Sequence, residues 1–246
     1  MQIEAQNNKF ASIFSKKYWK EAALQLKDVR MITIAALIVA LRIAVKFFKI
    51  PIAAGLSISF DAYVNSLGSI VYGPVVGLLV GAVSDVLGCV VTGQMGEYFL
   101  PFILVEMASS FIFGLFFWKR HIKLTRVLVS KFTVNLICNI IMTSVFMKWM
   151  MHISGLKYNL INGIRIAKNL IMFPFEATII VIVLTATLPI LTRARLIDKK
   201  YCSIEKPSNV RFLLQIITLT LISVILVLLY VFTWSDLITN LNIKFW

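Results

Sequence analysis

Asp61, Asp85, Glu106, Arg165, Lys168 and Asn169 interrupt or begin stretches that are otherwise apolar. A charge held in hydrocarbon costs roughly 2.5 kcal/mol or more, so such a residue faces a cavity or a partner. Arg165, Lys168 and Asn169 follow the spacing i, i+3, i+4 and share one face of a helix. Arginine offers a planar fork to a carboxylate and lysine a point charge. The start of a helix adds a dipole that favours an anion. Together they suit capture of an acidic ligand group, or else form an interfacial set whose charged heads reach toward water. Asp61 and Glu106 can each accept two parallel donors from an amidine-like ring edge. Their alternative is an ion pair with Arg42 or Lys168 inside a bundle. Asn135 and Asn139, at i and i+4, either hold a neighbouring helix or orient a ligand. Tyr98, with Tyr63, Phe99 and Phe102, can stack on a flat ring, and belts of interfacial aromatics lie at the same depth. Asp85 reads as a cap or loop anchor. Glu176, two residues past Pro174, reads as a structural partner of the backbone or of Lys131.

The elements that must position these groups are apolar runs at about 31–49, 59–72, 74–90, 100–118, 127–150, 166–192 and 211–234. A helix needs about 20 residues to cross the hydrocarbon core. The second and third runs are shorter and meet at Tyr72-Gly73-Pro74, so they form buried short helices or one hairpin. The chain has 246 residues, 59% of them hydrophobic, and reads as an all-α integral membrane protein. Its division is a basic amphipathic segment over 1–30, a six-helix bundle over 31–192, a basic linker over 193–210, an additional transmembrane helix over 211–234 and a tail over 235–246. The opening segment does not read as a signal peptide. It reads as an amphipathic helix on the membrane surface, around Phe14, Tyr18, Trp19 and Leu24.

The net charge of +14 comes largely from three basic segments: the N-terminal stretch, Lys119 to Lys123, and Arg193 to Lys206. Because 50–58, 91–99 and 152–164 carry almost no positive charge, the basic set is cytoplasmic and the six charged and amide residues lie toward the outer ends. That placement argues against nucleic-acid binding. The three cysteines and two histidines have no metal or disulfide spacing, so neither metal nor cofactor is expected. No phosphate-binding loop occurs, and active transport therefore needs another chain to supply energy. A membrane enzyme would need convergent acid, base or metal ligands, and a channel would need polar positions along whole helices. The glycine-rich stretch from Thr92 to Glu97 is a hinge for a lid or an ordinary turn.

Several segments, in order and with matching spacing over about 31–192, resemble the folate-type S components of energy-coupling-factor (ECF) vitamin transporters. They are AALIVALRI, LSISFDAYVNSLGSIVYGPVVGLLVGAVSDVLG, YFLPFILVEMASSFIFGLFFWKR, VSKFTVNLICNIIMTSVF and RIAKNLIMFPFE. The resemblance implies a six-helix bundle that binds a vitamin from outside and is not itself an enzyme. It implies docking on one transmembrane coupling protein and two cytoplasmic ATPases. Ala36 and Ala40, in a stripe with Ala44, match the motif that meets the coupling protein. The ligand implied is folate or a folate-like compound. Ser57 stands where the family pattern has arginine, Asp61 and Asn65 stand where it is more apolar, and Glu106 replaces a small residue. These departures keep another flat heteroaromatic vitamin or precursor open.

Overall fold

Two small oxygen-bearing side chains start the first helices. Ser15 accepts from the Lys17 N–H at 3.3 Å and caps α1 (Lys16–Leu24). Asp28 accepts from the Arg30 N–H at 2.9 Å and caps α2 (Val29–Lys46). Each satisfies an amide that a helix start leaves unpaired. The computed structural model describes residues 15–48, 50–53, 56–93, 98–155 and 163–197, with positions 217, 218, 221, 222 and 225 beyond them. The additional helix expected over 211–234 lies outside the described residues apart from those positions.

The apolar side of α1 lies on protein. Tyr18 and Ala22 are buried, the Tyr18 ring meets Trp118 at 5.0 Å, and Lys119 pairs with Glu21 at 2.8 Å. The helix thus spends its apolar face on the bundle, and its lysines stay exposed. Helix α2 buries Ala35, Val39 and Arg42, while Ala36, Leu37, Ala40, Leu41 and Ala44 face outward.

Between α2 and the next helix the chain forms an antiparallel hairpin of β1 (Ile50–Ala53) and β2 (Leu56–Ile58), with Ile50 opposite Ile58. The segment IPIAAGLSI lacks the alternation that announces a strand, and the hairpin is an element the sequence did not predict.

Helix α3 (Asp61–Val91) breaks at Gly73, whose φ of 79° is a region that side chains with a Cβ avoid. The halves 61–72 and 74–91 fold back on each other against α4 (Ile103–Phe117). The first half runs alongside α4, with Asn65 bonded to Ser109 and Ser69 to the Ser110 carbonyl, each at 3.3 Å. The second half runs the opposite way. A Cβ on Gly81 would sit 2.7 Å from the Glu106 carbonyl oxygen, and one on Gly114 would sit 2.6 Å from Pro74 Cα. The small residues therefore serve close packing inside the bundle. Trp118 covers the turn, since a Cβ on Gly73 would meet its ring at 2.7 Å.

One long rod follows, made of α5 (Leu124–Val134), a π-helical stretch (Asn135–Met142) and α6 (Thr143–Ile153). The last described helix is α7 (Gly163–Arg193). The rods α2, the two halves of α3, α4, α5–α6 and α7 make six, built around Phe113, Phe117, Cys138, Ile180 and Leu184. Four described helices, 61–91, 100–117, 124–153 and 168–193, are long and apolar enough to cross a membrane. This is a multi-pass membrane bundle.

Charge separates along it. Gln25, Lys119 and Arg195 line one cavity at the end where α1 packs. Arg42, Lys46, Asp61, Asp85 and Glu106 gather at the opposite end.

Candidate functional site

Helix α2 carries two cations into the bundle one turn apart. Arg42 is fully buried, and its guanidinium is satisfied on three sides. Its Nε and Nη2 donate to the two oxygens of Asp61 at 2.8 and 2.7 Å. Nη2 also donates to Glu106 at 2.6 Å, and Nη1 donates to the Ser110 hydroxyl at 3.3 Å. The ion pair with Arg42, one of the arrangements the sequence left open for Asp61 and Glu106, is present. Planar fork geometry explains the choice, because one arginine can bond two carboxylates at once. Asp61 has both oxygens engaged, whereas the Glu106 side chain keeps 30% of its surface exposed.

One turn on, Lys46 reaches Asp85 and the Ser84 carbonyl, each at 3.4 Å. Asp85 also accepts from the Tyr98 hydroxyl at 2.6 Å and so anchors the segment leading into α4. Burial, and then the bond to Asp85, push the Tyr98 phenol above its usual pKa, and it stays a proton donor. Its hydroxyl is thereby committed. Gln94 to Glu97, the last four residues of the stretch read as a lid or turn, lie outside the described residues. The end cluster holds two cations against three carboxylates, a formal charge of −1.

A second polar strip runs down the seam between the long rod and α7. Lys131 is buried and pairs with Glu176 at 2.9 Å. Asn135 donates to the Asn169 carbonyl at 3.4 Å, and Asn139 donates to the Asn135 side chain at 3.1 Å. Lys131, Asn135 and Asn139 stand about a turn apart, and the last two lie in the π-helical stretch, a geometry often found at functional sites. Lys168 and Asn169 are half-buried on α7. Arg165 falls in the first turn of α7, and its side chain lies outside the described residues. Aromatic rings continue the strip outward. Phe102 meets Phe99 at 5.8 Å and Phe146 at 6.2 Å, and Phe99 meets Trp149 at 5.4 Å.

The structure brings Asp61, Glu106 and, through Asp85, Tyr98 to one end. It joins Asn135, Asn139 and Asn169 on a neighbouring seam. Ala36 and Ala40 lie apart from both, on the exposed face of α2. Sequence reasoning undervalued Arg42 and Lys46. Their i, i+4 spacing within an apolar run was the available signal. Among the described residues no cluster of three or more His, Cys, Asp or Glu side chains is arranged to hold a metal.

A profile described as "ECF transporter, substrate-specific component" matches residues 30–188. The chain belongs to this family. "Folate transporter FolT" of Clostridium novyi (strain NT) is 27% identical over 155 residues, covering 63% of this chain and 88% of its own. "Folate transporter FolT" of Leuconostoc mesenteroides subsp. mesenteroides is 31% identical over 156 residues, covering 62% and 83%. The solved structure "Crystal structure of FolT bound with folic acid" superposes with a TM-score of 0.53 at 27% identity, covering 61% of this chain and 89% of that one. As an ECF substrate-specific component, the chain carries its family match on α2 through most of α7. Helix α1 and residues 189–246 lie beyond the match.

Proposed function

We propose that this protein is the folate-binding membrane subunit of an ATP-driven ECF importer, with its pocket open to the outside, its N-terminus cytoplasmic and its place the plasma membrane. The observation that carries the reading is the likeness to a FolT with folic acid bound, at 27% identity. In this reading Arg165, Lys168 and Asn169 hold the acidic end of the ligand. Glu106, partly exposed, meets the ring edge, and Asp61 supports it through Arg42. Asn135 and Asn139 orient the ligand, and Tyr98 closes one wall.

Ala36 and Ala40 form the docking face for the transmembrane coupling protein, which works with two ATPase subunits. Their outward position supports this, because a small-residue face lets another helix approach closely. Basic residues gathered at the α1 end support a cytoplasmic N-terminus.

One observation favours a second ligand of the same class. Three carboxylates face two cations at the outer end, which suits a ring rich in donors better than a second carboxylate. Another flat heteroaromatic vitamin or precursor is therefore the alternative.

The test is binding by the purified chain in nanodiscs. Folate should quench tryptophan fluorescence saturably, and the chain alone should not accumulate folate in liposomes. No quenching with folate, together with a different heteroaromatic compound retained in native mass spectra, would move the assignment to the alternative. Accumulation without the other subunits would sink the receptor reading itself.

A further inference from the structure

Helix α2 has two faces with separate jobs. Ala36, Ala40 and Ala44 look outward, and Arg42 looks inward. At 100° per residue, Ala40 and Ala36 stand about 160° and 120° around the helix from Arg42. No glycine or proline interrupts the 18 residues of α2, so rotation at Arg42 carries to the alanines.

The guanidinium fixes that rotation. Its paired bonds to Asp61 set the plane of the fork, the bond to Glu106 sets its direction, and the bond to Ser110 sets its depth. Both carboxylates stand where outer loops enter the bundle. Asp61 is the first residue of α3, three positions after the β hairpin ends at Ile58, and Glu106 lies in the first turn of α4, after the segment Asp85 anchors. A ligand that bonds the exposed part of Glu106 competes for the carboxylate that steers Arg42. Such a contact differs between loaded and empty states, which any shift in equilibrium requires.

We infer that Arg42 is a positioning residue that couples occupancy of the outer site to the orientation of the alanine face, so that assembly with the coupling protein depends on ligand. The inference rests on the receptor reading above.

The experiment compares the full-length wild type with Arg42→Lys and Ser110→Ala. It measures folate affinity of the isolated subunit and its capture by a tagged coupling module, with and without saturating folate. Lysine keeps the charge and loses the fork. Wild type should show a ligand-dependent capture ratio of roughly fivefold or more, the usual scale of coupling between sites. Arg42→Lys should bring the ratio close to one while affinity changes less than about tenfold. Ser110→Ala leaves both ion pairs and should lower the ratio partway, which keeps the test decisive if Arg42→Lys does not fold.

Ratios unchanged in both variants, with only the melting temperature lowered, would make Arg42 a purely structural residue and overturn the inference. So would an affinity loss of about a hundredfold with the ratio kept at saturation, which marks direct ligand contact. If wild type binds no folate, the ligand assignment fails by itself. Basal capture then decides: a loss in Arg42→Lys as large as in Ala40→Trp keeps the positioning role, and unchanged capture refutes it.

Discussion

Removing the ammonium of Lys131 isolates Glu176 inside the α5–α7 seam. The pair is 2.9 Å apart, and the two side chains keep only 3% and 18% of their surface exposed. At an effective dielectric of 20, the gross attraction at that distance is about 6 kcal/mol. Much of it is offset by the cost of drying both charges, so the pair itself adds little net stability. Breaking it from one side is different, because a carboxylate then stays buried without its cation. Lys131→Met should cost about 3–5 kcal/mol. For a chain of this size that lowers the melting temperature by roughly 6–20 °C. The double variant Lys131→Met/Glu176→Gln should recover most of the loss, because neither charge remains. Thermal unfolding in nanodiscs of wild type, Lys131→Met, Glu176→Gln and the double variant, followed by tryptophan fluorescence, closes a double-mutant cycle. A single variant that melts within about 2 °C of wild type would show that Glu176 finds water or another partner, and the reasoning would fail.

Gly73→Ala should lower stability by roughly 2 kcal/mol or more, since φ is 79° and the new methyl meets the Trp118 ring at 2.7 Å; a wild-type melting curve would refute this. Arg165→Ala should weaken folate binding by roughly 1.5–3 kcal/mol, about a tenfold to hundredfold rise in Kd by titration. Unchanged affinity would place the acidic end of the ligand elsewhere. Ala40→Trp should abolish capture by the coupling module while leaving folate affinity near wild type. Collapse of affinity with capture intact would make that alanine an internal packing residue.

The hydrophobic runs and the Tyr72-Gly73-Pro74 turn were legible in the sequence because membrane helices announce themselves by length and apolarity. Two runs too short to cross separately left buried short helices or a hairpin open, and the fold-back at Gly73 is the arrangement formed. The partner of a buried charge was not legible. Asp61 and Glu106 lie 19 and 64 positions from Arg42, and only the packed bundle brings them to that fork. The β hairpin escaped detection because eight of the nine residues of IPIAAGLSI are apolar or glycine without alternation. Tyr18 and Leu24 on α1 looked alike as apolar residues of an amphipathic segment. Only Tyr18 has Trp118 to bury it, and Leu24 remains 48% exposed.

The fold-back of α3 also sets how far the charged cluster lies below the end of the bundle. From Asp61 to the turn, the first half has 12 residues, about 18 Å of helix, against a hydrocarbon core of about 30 Å. The second half continues six residues past Asp85 to Val91, about 9 Å further in the same direction. The cluster of Asp61, Arg42 and Glu106 therefore lies about 9 Å below the end of the neighbouring half-helix. In the outward-open reading proposed above, a polar solute sheds its water between helices rather than at the membrane surface. In that reading the partly buried carboxylates act with less screening than exposed charges have.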